Sequence, residues 1–109
     1  MGSKALQSNI NGSRNTAFGN EALFQATSAN RMVAIGHRAL YSQQTVTLPN
    51  MAIGAFAGYS TTTGSSNIFI GDSVAFANTT GSSNLAVGPY ALRSNTTGNN
   101  NIAIGKKRP

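Results

Sequence analysis

A five-residue motif returns along this chain at almost fixed intervals: asparagine, an apolar residue, a small residue, another apolar residue and glycine. It is clearest in Asn67-Ile68-Phe69-Ile70-Gly71, Asn84-Leu85-Ala86-Val87-Gly88 and Asn101-Ile102-Ala103-Ile104-Gly105, and looser copies close on Gly19, Gly36 and Gly54. The closing glycines are spaced 17, 18, 17, 17 and 17 residues apart, and Gly2 followed by Ala5-Leu6 continues the series backwards. So short a period leaves room for one supersecondary unit per repeat, stacked on its neighbours as a solenoid. The expected fold is all-β, a parallel β-solenoid (β-roll or β-helix) of about six 17-residue coils. Residues 1–109 form a single repeat domain, read as a segment of a longer fibrous protein.

With each closing glycine as position 0, positions −3 and −1 lie on one face of a strand and position −2 on the other. Position −1 holds Phe18, Ile35, Ile53, Ile70, Val87 and Ile104, and position −3 holds Thr16, Val33, Met51, Ile68, Leu85 and Ile102. This apolar pair of columns is expected to line the inside of the coil. Position −2 is alanine except for Phe69. A strand face open to water normally carries polar residues, so the alanine face is expected to lie against another copy of the chain. After the glycine, positions +3 and +4 hold a second apolar element, such as Ala22-Leu23 and Ala39-Leu40. A Thr-Thr-Gly corner follows in the late coils, and Gly64, Gly81 and Gly98 are expected to supply positive φ there. Asn11-Gly12 does the same early on.

Stacking turns alignment columns into ladders about 4.8 Å apart. Position −4 is an asparagine ladder, Asn15, Asn50, Asn67, Asn84 and Asn101, broken by Met32. Its amides are expected to hydrogen-bond along the axis. Position +2 places Glu21 between Lys4 and Arg38, a surface ion ladder of small energetic weight. Position +5 carries Phe24, Tyr41, Tyr59, Phe76 and then Arg93. Such a row either packs the core or forms an exposed strip that contacts a ligand, and both readings stay open.

Chemistry finds little material. The carboxylates are Glu21 and Asp72, three coils apart and out of phase by one residue. That is about 14 Å along the axis, beyond the roughly 5–9.5 Å of a glycosidase pair. His37 has no Cys, Asp or Glu near it in sequence, and the chain has no cysteine, so no metal site or cofactor is expected. The spacing of Gly98 and Gly105-Lys106 fails the phosphate-loop signature. No apolar run approaches the roughly 20 residues of a membrane span, so no membrane insertion is expected. The net charge of +6 favours anionic surfaces without naming one. Lys106-Lys107-Arg108 reads as a solvated tail rather than a nucleic-acid site, because no recognition motif accompanies it.

The repeats resemble those of bacteriophage tail fibres and of the heads of trimeric autotransporter adhesins. The likeness rests on Thr80-Gly81-Ser82-Ser83-Asn84-Leu85-Ala86-Val87-Gly88-Pro89-Tyr90-Ala91-Leu92 and on Thr97-Gly98-Asn99-Asn100-Asn101-Ile102-Ala103-Ile104-Gly105. It implies an intertwined or side-by-side homotrimer and a non-enzymatic role in a virion tail fibre, attaching to a bacterial surface glycan or an outer-membrane receptor. A bacterial surface adhesin head is the alternative, and a fibre-borne polysaccharide depolymerase the third reading. Within the chain, the late coils repeat almost verbatim and the exceptions gather in the middle: Arg31, Met32, His37-Arg38 and the Gln44–Pro49 corner with its extra residue. The candidate ligand-binding residues are Arg31, His37, Arg38, Tyr41 and Tyr59, which offer charge to an anionic glycan and a tyrosine face to sugar carbons. The alternative, that Pro49 and the insertion only adjust coil geometry, stays open.

Overall fold

A computed structural model describes residues 3–9, 12–44 and 48–106. The readings of Gly2, Asn11, the Val46-Thr47 part of the insertion and the Lys107-Arg108 tail fall outside these residues. The six motif copies form six strands: β1 (Thr16–Phe18), β2 (Val33–Ile35), β3 (Met51–Ile53), β4 (Ile68–Ile70), β5 (Leu85–Val87) and β6 (Ile102–Ile104). They make one parallel sheet in chain order. The register joins equal repeat positions, as in Ala34↔Ala52 and Ile35↔Ile53. Each coil therefore climbs one strand spacing, and the chain is a β-solenoid of about five turns. Its extents are 39 × 24 × 17 Å.

The strand faces are the reverse of the expected ones. Position −2 points inward: Ala34, Ala52, Phe69 and Ala86 are fully buried and Ala17 nearly so. Positions −3 and −1 point outward, where Phe18, Ile35, Ile68, Ile102 and Ile104 are exposed and the other apolar residues of those columns are half-buried. The reason is thickness. The +3 and +4 residues of the returning leg, including Ala22, Leu23, Ala39, Leu40, Ala57 and Val74, also point into the coil and form one cluster with the −2 column. The facing leucines leave room only for a methyl group on the strand side. Phe69 shows the rule by its exception. A Cβ built on Gly58, at +4 of the coil before it, would come within 2.9 Å of the Phe69 ring and 3.0 Å of Leu40. The one large residue in the −2 column thus takes the space left by the one glycine in the +4 column.

The corner of the coil is filled by polar side chains. The −4 asparagines are buried in the middle coils, but their amides do not bond to one another. Asn67 Oδ1 accepts from the backbone N–H of Asn84 at 2.9 Å, while Asn67 Nδ2 donates across the coil to the Gly81 carbonyl at 2.8 Å. Asn84 and Asn50 repeat the pattern, with Gly98 and Gly64 as acceptors. A second polar column at +7 was not evident from the sequence. It stacks Gln43, Thr61 and Asn78 inside the coil and Asn95 at its margin, with Asn95 Nδ2 donating to Asn78 Oδ1 at 3.1 Å. Among the described residues, no buried side-chain nitrogen or oxygen lacks a partner. That condition makes a polar interior tolerable, because an unpartnered buried group costs about 1–3 kcal/mol.

The corner glycines also serve a different purpose from the expected one. Positive φ belongs to the closing glycines, for example +138° at Gly71, and not to Gly64, Gly81 or Gly98. The corner glycines are needed because a Cβ would run into the neighbouring column: at Gly81 it would collide with Asn78 Oδ1 and the Gly98 carbonyl. Gly12 is confined in the same way, by Asn9 Oδ1 and the Ala29 carbonyl. Left-handed backbone instead recurs at non-glycine positions. The −5 column has φ of 59° at Arg14, 57° at Arg31 and 59° at Ser66. Pro49 falls in this column, and its ring holds φ near −65° and removes the N–H. The one coil with an 18-residue spacing is thus also the one whose −5 residue cannot adopt the regular corner conformation.

Candidate functional site

Two surfaces stand out, one on each leg of the coil. On the returning leg the +5 residues form a continuous ring stack. Phe24–Tyr41, Tyr41–Tyr59 and Tyr59–Phe76 each have centroids 5.1 Å apart, with interplanar angles of 7°, 17° and 11°. The row is half-buried, so it is neither core nor a freely exposed strip. Its spacing is the strand spacing, so the rings stack because the coils do. Arg93 closes the row 5.6 Å from the Phe76 centroid. Arg38 lies 5.6 Å from the Tyr41 centroid.

This geometry limits what the row offers a ligand. Tyr41 is sandwiched between Phe24 and Tyr59, and Tyr59 between Tyr41 and Phe76. Their faces are occupied, so an approaching molecule meets ring edges, which carry the positive end of the quadrupole. Stacking of a sugar on a tyrosine face, as the sequence suggested, is closed at both tyrosines. Edge contacts and the charge of Arg38 and Arg93 remain.

Beside the row, position +2 adds Arg38, Phe56 and Tyr90. Arg38 Nε donates to Glu21 Oε1 at 2.7 Å, the expected ion contact between adjacent coils. That hydrogen bond is the main reason the Arg38 guanidinium is held above its ordinary pKa. Phe56 is a member that sequence reasoning missed. It contacts Tyr59 at 5.7 Å and Phe76 at 6.0 Å, and meets the His37 ring edge-on at 5.3 Å. The signal was available in the repeat, since positions +2 and +5 lie on one side of the same short leg. His37 Nδ1 is 3.3 Å from Asn20 Nδ2, one coil below. No group of three or more His, Cys, Asp or Glu able to hold a metal occurs among the described residues.

Arg31 lies apart from this cluster. His37, Arg38, Tyr41 and Tyr59 follow the closing glycine, whereas Arg31 precedes β2 at the opposite end of the strand. It borders a groove of about 330 Å³ beside the outward sheet face. One wall of that groove is formed by Arg31, Pro49 and Ser66 and the other by Val33, Met51 and Ile68. The groove adjoins the second surface, the outer face of the sheet. Of its twelve −3 and −1 residues only Thr16 is polar, and none is charged. Ile102 and Ile104 are 75% and 73% exposed and Phe18 59%.

No protein-family model matches this chain, and no curated protein or solved structure is significantly similar to it. No helix among the described residues is long and apolar enough to cross a membrane.

Proposed function

We propose that the chain is a structural segment of a phage tail fibre, assembled as a homotrimer through its outer sheet face and contributing to attachment to the bacterial surface. The observation that carries this reading is the outer face itself. On the interior strands Ile35 and Ile68 are exposed and Val33, Met51, Ile53, Ile70, Leu85 and Val87 are half-buried, so an uncharged apolar face runs unbroken along the sheet. Contiguous apolar faces of this kind mark interaction surfaces. The oligomer first inferred from the alanine columns rests instead on the isoleucine-rich columns.

The separation of the two surfaces supports a division of labour. Assembly through the sheet leaves the returning leg, with Arg38, His37, Phe56 and the ring row, facing solvent as the attachment surface for an anionic glycan. An enzymatic role has less to stand on, since Glu21 is hydrogen-bonded to Arg38 and Asp72 lies three coils away. Light scattering at micromolar concentration tests assembly, and a monomer mass overturns it. Binding to host cells or a glycan array tests attachment. Arg38→Ala and Tyr41→Ala are expected to lose binding while Arg93→Ala keeps it, all three remaining folded by circular dichroism. Retention in the first two with loss in Arg93→Ala moves the site to the late coils.

A further inference from the structure

We infer that the groove between the −5 and −3 columns is a socket for a second copy of this chain, parallel and in register, whose −1 row of Ile35, Ile53 and Ile70 seats in it. The inference rests on the self-association proposed above and specifies which surfaces meet.

Three observations select this occupant. The first is chemistry. The −3 wall of the groove is Val33, Met51 and Ile68, and Asn50 and Asn67 behind it have their amides bonded to the Gly64 and Gly81 carbonyls and, for Asn50, to Gln43 as well. A polar ligand would find few unspent partners on that wall, whereas branched apolar side chains would lose water on both sides.

The second is periodicity. The groove spans β2, β3 and β4, and Val33, Met51 and Ile68 rise along it one per coil. Ile35, Ile53 and Ile70 rise on the same strands at the same interval. A parallel copy at the same height therefore presents one apolar knob to each coil of the socket. A globular partner of unrelated shape has no reason to carry a row at this spacing.

The third is direction. A copy turned about an axis along the solenoid, as in the trimer proposed above, brings the −1 edge of one sheet against the −3 edge of the next. A copy turned end over end instead sets −1 against −1 and −3 against −3, and leaves the groove beside −3 unfilled. Its volume of about 330 Å³ would then be left to water against the apolar Val33, Met51 and Ile68 wall, inside an interface whose core is normally packed. Filling it favours the parallel copy. Arg31 and Ser66 then lie at the rim, where interfaces are polar.

The chain contains no cysteine, so disulfide cross-linking reads this arrangement against a clean background. Met51→Cys and Ile53→Cys change only outward residues, and circular dichroism checks that both variants fold. The two are mixed, dissociated, reassembled and oxidised. The inference expects the mixture to form an intermolecular cross-link between the variants at least ten times faster than either variant forms one alone. If wild type is an oligomer and the mixture cross-links no faster than Ile53→Cys alone, the copies do not meet −1 to −3. The socket assignment is then wrong while the fibre reading stands. If wild type is a monomer across the micromolar range, both the assignment and the proposed assembly fall.

Discussion

Coils four to six and the junction of coils two and three are built to the same plan with different parts. In the late coils Asn67 and Asn84 each bridge two neighbours: Oδ1 holds the next coil's backbone N–H and Nδ2 reaches a corner glycine carbonyl. At the junction, Met32 replaces asparagine. Its sulfur accepts the Asn50 backbone N–H at 3.1 Å and offers no donor in return. The coil that follows it has the lengthened corner, with Val46-Thr47-Leu48-Pro49 and an extra residue in place of Thr-Thr-Gly. In the other coils the ladder amide finds its acceptor 14 residues on, at the Ala29, Gly64, Gly81 and Gly98 carbonyls, and for position 32 that place falls in the lengthened corner. Methionine keeps the single bond that the next coil needs and carries no amide donor. The ladder asparagine and the corner carbonyl are therefore one device, and the carbonyl need not be a glycine's, since Asn15 Nδ2 donates to the Ala29 carbonyl at 2.7 Å. Where the corner gains a residue, the ladder asparagine gives way to methionine.

The largest effect is expected at the border of the two regions. Phe69→Ala opens a cavity beside Gly58 and should cost about 3–5 kcal/mol. Adding Gly58→Leu returns both columns to their usual residues. The neighbouring leucines at +4 have the same left-handed backbone, 52° at Leu23 and 50° at Leu40 against 60° at Gly58. The double variant should recover at least about 1 kcal/mol in urea unfolding, the scale of coupling between contacting residues. Additive losses would show that the two positions do not share one space.

A direct contrast of the regions comes next. Asn67→Ala orphans the interior Asn84 N–H, leaves the Gly81 carbonyl with only the longer bond from Asn78 Nδ2, and should cost roughly 1–3 kcal/mol. Met32→Asn should also destabilise, by about 1–3 kcal/mol, although it makes the ladder continuous. A rise in unfolding midpoint for Met32→Asn would break the link drawn between ladder and corner.

The smallest effect is expected on the returning leg. Arg38→Ala removes an exposed guanidinium paired with Glu21, and surface pairs of this kind add little to stability. Its midpoint should match wild type within error at physiological salt. A clear drop would mean that the ring row and its arginines hold the middle coils together and are not merely displayed by them.

Much of this architecture was legible in the chain. The spacing of Gly19, Gly36, Gly54, Gly71, Gly88 and Gly105 determined a solenoid, its coil length and its register, because a repeat of one turn can bury its apolar residues only by stacking on itself. The ring row at +5 and the contact of Glu21 with Arg38 followed from the same register, since equal positions on adjacent coils stand one strand spacing apart. Alternation along the strand also determined that two faces exist. Which of them turns inward was decided by the tertiary structure, through the distance between the two legs: with leucines projecting from the returning leg, the gap admits Ala34, Ala52 and Ala86 but not Ile35 or Ile53. The pairing of Phe69 with Gly58 was the one trace of that gap in the sequence. The asparagine bonds and the corner glycines were decided at the same level. Both depend on partners 14 to 17 residues away along the chain, brought together only when the coil closes.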